Sequence, residues 1–385
     1  MSGGAYVAEI ATIVGLASAC LGAVAAWLQI RSMRRGRHAK QRKAAHDEMA
    51  KQTRTWRIAP TRPVQLETET AFIPISLGSL TINASIRIGS LLTTWTPDTI
   101  SCLYDDERKF SFPTEFRSSY TKALDRRLSQ LRAKGATVFD GPSYSLRDCR
   151  IEVYDPIEEW TRLELLLGPL TYFDFLASNL SVPTGDLSPR IVGKLPFLEI
   201  ADLPLSNQLG INVSIVTADS RLVIQRRSRM VTHFAGQLAN GVNATMQRGM
   251  SGHVGDETED GIPDPILTIQ RECREELGFT PDRDSVVIYG IAVEHQYFQP
   301  ILIGEVRTPM SYDHLRSIAA AWARDKFEYR QLESLPLDPR TIARSLVTNH
   351  WVPICALTTV TTCVHHTTRE DVTKALSASS VTRIG

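Results

Sequence analysis

The stretch "PILTIQRECREELGF", residues 265–279, carries the reading of the fold. Asp264 stands directly before it and can cap a first helical turn with its side-chain oxygen, while Pro265 suits the first helical position, where no amide donor is needed. Gly278 suits the left-handed residue that ends a helix, and Pro281 prevents continuation. The limits of the helix are therefore expected near 265 and 277. Ile266, Ile269, Cys273 and Leu277 recur at three- and four-residue intervals and form its buried stripe. Glu272, Glu275 and Glu276 then project together from the flank, with Arg271 one turn before Glu275 and able to pair with it. Like charges so spaced repel by a few tenths of a kcal/mol per pair. Either solvent and the arginines Arg271 and Arg274 offset that repulsion, or a bound cation does. Three carboxylates on a rigid scaffold offer the hard oxygen ligands that Mg²⁺ prefers.

The surrounding text sets this helix in an α/β context. "GINVSIVTADSRLVIQRRS" has the pattern of two strands joined at "ADS", and "SVVIYGIAVEH" and "FQPILIGEV" are rich in β-branched residues. "YDHLRSIAAAWARDKFE" and "PRTIARSLVTNHWVPICALTTVTTCV" read as helices, and the "SASSVTRIG" tail as loose chain. Between the hairpin and the carboxylate helix lies "SGHVGDETEDGIPDP", a loop rich in Gly, Asp and Glu.

"RECREELGF" resembles the second half of the Nudix box, Arg-Glu-apolar-x-Glu-Glu-x-Gly-apolar, with Cys273 in the apolar place. The resemblance covers roughly residues 205 to 330 and implies an α/β/α sandwich around a mixed sheet. It also implies hydrolysis of a diphosphate linked to another moiety, with Mg²⁺ or Mn²⁺. By that resemblance Glu275 and Glu276 are metal ligands, Glu272 is a further ligand or the base that activates water, and Arg271 orients the carboxylates. The upstream half of the box is not matched: counted without gaps from Arg271, its glycine and glutamate fall on Glu257 and Pro263. Gly252 or Gly255 is then the candidate for the glycine, and Glu257, Glu259 or Asp260 for the acid. Arg226 and Arg227, at the end of a strand, are either phosphate contacts or a solvated strand end, and Gly252 serves a turn or the substrate. His253, in the same loop, either touches substrate or is an ordinary loop residue.

At 385 residues the chain is longer than one typical domain. Residues 10–30, "IATIVGLASACLGAVAAWLQI", carry no charge and are long enough to cross a bilayer, and "RSMRRGRHAKQRK" follows directly. The expected organisation is a transmembrane anchor over 1–31, a basic juxtamembrane linker over 32–63, an α+β domain over 64–200 and the Nudix-like domain over 205–375. Positive charge after the span places the later domains on the cytoplasmic side of a cell membrane. Within 64–200, "AFIPISLGSLTINASIRIG" alternates like strands and "SSYTKALDRRLSQLRAKG" reads as an amphipathic helix, but no motif there carries chemistry.

A net charge of +1 argues against a dedicated nucleic-acid binder. The six cysteines form no CxxC pair and no disulfide framework. His365 and His366 have no partner at metal-ligand spacing and are expected at the surface. The leading function is a membrane-anchored hydrolase of a small-molecule diphosphate, of nucleoside-diphosphate type. The alternative is a catalytically silent Nudix-like module that senses a nucleotide or ADP-ribose-like ligand. An isomerase sharing the fold would need a cysteine before the box, and 205–264 has none. The oligomeric state is not set by these patterns.

Overall fold

In the computed structural model the described residues are 75–77, 80–133, 138–155, 160–187, 189–228, 234–250, 254–324 and 329–381. The expected membrane span at 10–30 and the basic linker to residue 63 lie outside them. Among the described residues no helix is long and apolar enough to cross a membrane.

Thirteen strands are described, and eight of them build one mixed sheet. In chain order β1 is Ile75–Leu77, β2 Leu80–Ile82, β3 Ala84–Gly89, β4 Ile100–Tyr104, β5 Pro142–Asp155 and β6 Trp160–Thr171. They are followed by β7 Gly210–Val216, β8 Arg221–Arg227, β9 Leu238–Asn240, β10 Val242–Thr245, β11 Val286–Glu294, β12 Gln299–Arg307 and β13 Tyr329–Pro336. The path across the large sheet is β13-β8-β7-β12-β11-β3, with β9 on β8 and β10 on β7. β7 and β12 run parallel, and their other neighbours antiparallel. β1 and β2 form a short ribbon, and β4, β6 and β5 a second sheet.

Strand periodicity decides which layer each residue joins. On β7, Ile211, Val213 and Ile215 share a core with the carboxylate helix, whereas Leu222 and Ile224 of β8 face the opposite layer. Both faces of β7 and β12 are covered, so their interiors are almost entirely buried, as strands sandwiched between helices must be. The helices in chain order are α1 (Arg117–Ala133), α2 (Tyr172–Ala177), α3 (Pro189–Val192), α4 (Pro265–Leu277), α5 (Tyr312–Trp322), α6 (Pro339–Thr348), α7 (Pro353–His366) and α8 (Arg369–Val381). α4 and α5 lie on one face and α7 on the other. The result is a mixed α/β fold with helices on both faces of a mixed sheet.

The boundary expected near residue 200 is not where the compact body divides. Residues 63–385 form one unit. β3 is the edge strand beside β11, from Ala84 opposite Glu294 to Gly89 opposite Gly290. Tyr120 of α1, Tyr144 of β5 and Leu163, Leu165 and Leu167 of β6 share a hydrophobic core with Ile266, Ile269 and Cys273 of α4. An exposed edge of β11 would leave a row of unpaired amides, and β3 covers it. β13 has no counterpart in the sequence reading, and the chain read as loose at the end is helical through Val381.

Of the two histidines expected at the surface, His366 is exposed and His365 half-buried, and both find partners. His366 Nε2 lies 3.0 Å from Glu305 Oε2, a fully buried carboxylate that accepts from Tyr289 Oη at 2.6 Å and Arg307 Nε at 2.6 Å. The His365 ring stacks on Tyr289 at 4.3 Å. Burial acts to raise the Glu305 pKa, but the hydrogen bonds from His366 and Tyr289 and the nearby cations hold it below the ordinary value. The pair ties the end of α7 to β12, a distance in sequence that ligand-spacing rules do not address.

β9 and β10 are one strand broken at Gly241, whose φ is 42°. A Cβ there would lie 1.9 Å from the Val213 carbonyl oxygen in the middle of β7. Only a residue without a side chain lets the two backbones approach so closely. Gly241→Ala is expected to cost about 2–3 kcal/mol, from overpacking plus the left-handed backbone. Chemical denaturation of the variant against the parent measures it.

Candidate functional site

α4 forms as its ends dictate. Asp264 caps it by accepting from Ile266 N at 2.9 Å, and its other oxygen accepts from Arg283 Nη1 at 2.6 Å. Gly278 adopts φ 76° and closes the helix with its N–H on Arg274 O. Ile266, Ile269, Cys273 and Leu277 are fully buried. Burial and the adjoining Glu276 and Glu272 push the Cys273 thiol well above its usual range, so it is an inert core residue.

Arg271 is the hub of the polar flank. Its guanidinium grips Asp256 with two bonds, Nε to Oδ1 at 2.9 Å and Nη2 to Oδ2 at 3.0 Å. Nη2 also donates to Thr245 O at 3.3 Å, and Nη1 donates to Glu272 Oε1 and, at 3.3 Å, to Glu275 Oε2. Burial alone would lower the Arg271 pKa, but Asp256 and Glu272 outweigh it and hold the guanidinium charged far above its ordinary value. Parallel two-bond contact to a carboxylate fixes the plane of the guanidinium as well as its charge.

Asp256 was not among the acids that the sequence reading nominated. It is buried, accepts from Gln247 N at 2.8 Å and donates its own N–H to Gln247 O. Asp264 N in turn donates to Asp256 O at 2.8 Å. The intervening residues turn back on themselves, Thr258 N to Ile262 O, so that Asp256 returns beside the start of α4. The visible signal is "DETEDGIPD", an acid separated from the helix cap by a turn sequence. Gly255, one of the nominated glycines, packs so closely that an added Cβ would lie 2.0 Å from Gly249 N. Glu257 faces away from Arg271 and accepts from Tyr144 Oη at 2.6 Å and Gly249 N at 2.9 Å. Glu259 and Asp260 are exposed. Gly252 and His253 lie outside the described residues.

The three glutamates are not equivalent. Glu272 and Glu275 share Nη1 of Arg271, and the Glu275 side chain is the more open of the two at 26% exposed. Glu276 is turned inward, buried, and accepts from Gln225 Nε2 of β8 at 2.8 Å. Carboxylate chemistry suits a hard divalent cation, but among the described residues no group of three or more His, Cys, Asp or Glu is placed to hold a metal ion. Arg226 is paired with Glu333 of β13 at 3.3 Å, a cross-strand ion pair within the sheet, and Arg227 is half-buried two residues on from Gln225.

A cavity of about 310 Å³ adjoins this constellation. Thr245, whose carbonyl takes Arg271, and Gln247, whose amide holds Asp256, both line it. Phe139 and Tyr172 come from the segment before residue 200, and Met250 and Val254 from the loop before α4. Phe139, Met250 and Val254 are three of the large apolar side chains that the described surface leaves exposed. Arg248, also lining it, lies over the rings of Tyr104 at 5.1 Å and Tyr144 at 6.0 Å.

No family model matches the chain, and no curated protein matches it. Among solved structures, DR0079 from Deinococcus radiodurans overlaps 39% of this chain and 80% of its own, at 19% identity and a TM-score of 0.28. The MutT protein from Methanosarcina mazei Go1 overlaps 40% of this chain and 89% of its own, at 12% identity and a TM-score of 0.27.

Proposed function

We propose that the chain is a Nudix-type hydrolase that cleaves a diphosphate linkage in a nucleoside-diphosphate-type substrate, tethered to a membrane through residues 10–30 with its folded part cytoplasmic. The observation that carries this reading is the arginine hub: Arg271, clamped by Asp256, holds Glu272 and Glu275 side by side, and Thr245, whose carbonyl accepts from Arg271, lines a cavity of mixed polar and apolar walls. Because three of the Arg271 contacts go to Asp256 and Thr245, the guanidinium keeps its place when a glutamate turns away. Glu272 and Glu275 are the residues to hold Mg²⁺ or Mn²⁺, with Glu276 supporting them from Gln225. When bound, the cation supplies charge neutralisation at the phosphate oxygens and polarises water. In the reaction a water oxygen bonds to phosphorus, the bridging P–O bond breaks and its electron pair leaves with the departing phosphate. Glu272 takes the proton of the water as general base. The cavity receives the moiety beyond the diphosphate, its apolar rim against a flat or apolar body and Arg248 near its charge.

A second reading has its own support. The glutamates are engaged by Arg271 and no ready metal group is described, as suits a module that binds a nucleotide or ADP-ribose-like ligand without turning it over. One assay separates the two. The full chain in a neutral detergent is incubated with Mg²⁺ or Mn²⁺ and a panel of nucleoside diphosphate derivatives, and phosphate or monophosphate release is followed. Hydrolysis requires release that falls at least about a hundredfold in Glu275→Gln, the size of an acid–base or ligand contribution. Undiminished release in that variant overturns the assignment of the site. Saturable binding with no release from the parent protein establishes the sensor.

A further inference from the structure

A second cavity lies far in sequence from the carboxylate helix. It is a groove of about 840 Å³ between α6 and α8, within the size range of small-molecule sites. Its floor is apolar, with Val347 of α6 and Ala375 of α8, and three cations line it: Arg340 and Arg344 from α6 and Lys374 from α8. Arg340 and Arg344 are four residues apart on one helix, a like-charged spacing that costs a few tenths of a kcal/mol when nothing offsets it. None of the three side chains makes an ion pair or hydrogen bond to a described residue.

The two carboxylates in the groove are already committed. Asp338 caps α6, its Oδ1 accepting from Thr341 N at 3.0 Å. Asp371 accepts from the Thr368 hydroxyl at 2.7 Å in the first turn of α8. Neither carboxylate pairs with the cations, and the three cations outnumber the two anions of the lining, which leaves the groove with a formal charge of +1 above an apolar floor. Guanidinium groups match phosphoryl oxygens in both charge and geometry, and a point-charge lysine completes such a site.

We propose that this groove binds a phosphorylated small molecule, with its phosphoryl group on Arg340, Arg344 and Lys374 and its apolar part along Val347 and Ala375. The site is separate from α4 and stands whether or not α4 hydrolyses anything. The phosphoryl group has two possible sources, a free phosphorylated solute or the head group of an anionic lipid, and the chemistry that recognises them is the same.

The test is calorimetric titration of the full chain in a neutral detergent, with EDTA present so that the acidic flank of α4 has no cation to attract an anion. The probes are methylenediphosphonate, a diphosphate that is not hydrolysed, and dihexanoyl phosphatidic acid. Saturable binding is expected, with a dissociation constant that rises about tenfold or more in Arg344→Glu/Lys374→Glu, equivalent to about 1.4 kcal/mol, and is unchanged in Glu275→Gln. Circular dichroism confirms that the exposed substitutions leave the fold intact. Arg344→Lys, which keeps the charge but loses the planar fork, is expected to fall between parent and double variant. Binding of the diphosphonate identifies a soluble ligand, and binding of the lipid alone with the same charge dependence identifies a head group. No binding of either probe, or binding that survives the double charge reversal, overturns the site.

Discussion

Asp256→Ala is expected to lower the stability of the folded chain by about 3–5 kcal/mol, the cost of removing one partner of a buried ion pair. The size follows from what is left behind. Arg271 has a side chain only 12% exposed, and Asp256 answers it with two bonds at 2.9 and 3.0 Å. Without Asp256 the Nε edge of the guanidinium loses its acceptor and only the Nη1 contacts to Glu272 and Glu275 answer its charge, and Gln247 N loses its acceptor as well. The two glutamates would then be drawn further onto Arg271, so activity is expected to fall along with stability. A surface ion pair such as Arg316–Asp313, both ends open to solvent, would contribute about 1 kcal/mol or less. Urea denaturation monitored by circular dichroism gives the comparison, with Asp256→Asn as the milder variant that keeps one acceptor. The companion double variant, Asp256→Leu with Arg271→Leu, removes both charges and should recover part of the loss. A cost below about 1 kcal/mol for Asp256→Ala would mean that the hub does not hold the loop to the helix.

The carboxylate helix was legible because its signals are local. Asp264, Pro265 and Gly278 each act within a turn of themselves, and the stripe of Ile266, Ile269, Cys273 and Leu277 needs only a helical period to be seen. The hairpin of β7 and β8 and the strands β11 and β12 were legible for the same reason, as period-two or continuous apolar runs. What escaped depends on long-range pairing. β3 joins β11 across about two hundred residues, a partnership that no local pattern specifies, and so the region before residue 200 read as a separate domain. Glu276 looked equivalent to Glu272 and Glu275 by spacing, yet Gln225 on a neighbouring strand draws it inward. Asp256 was hidden by loop length: a turn of variable size brings it back to Arg271, and gap-free counting cannot anticipate that. The run "TTVTT" in α7 illustrates the reverse case. Its β-branched residues disfavour a helix on propensity alone, but the hydroxyls of Thr358 and Thr361 bond back to Ile354 O and Leu357 O, while Thr362 reaches Ser214 on the sheet. Tertiary burial decides.

The pH dependence of stability provides the second large effect, and Glu294 is its source. This carboxylate ends β11, only 2% exposed, between Ala84 of β3 and Gln299 of β12. Burial raises its pKa from 4.5 to about 7, even though the amides of Gln296 and Tyr297 donate to it at 3.0 and 3.1 Å and act to lower it. His295 and Tyr297 flank it. Burial and then Arg87 hold the imidazole below its usual value, and burial and then Glu294 hold the phenol above its own. A carboxylate whose folded pKa exceeds its unfolded one favours the folded state while it is protonated. That contribution is fully present below pH 4.5 and is lost as pH rises through about 7. A shift of this size corresponds to about 3 kcal/mol at about 1.4 kcal/mol per unit. Glu294→Gln cannot ionise, although its amide forfeits one of the two backbone contacts. The parent should therefore be the more stable protein at about pH 5 and lose that advantage by about pH 8, with the difference between the two curves carrying the Glu294 titration alone. Denaturation free energies for both proteins across this window measure it. A difference that stays constant with pH would show that Glu294 is ionised in the folded chain throughout, and that the amides of the 295–298 turn outweigh its burial.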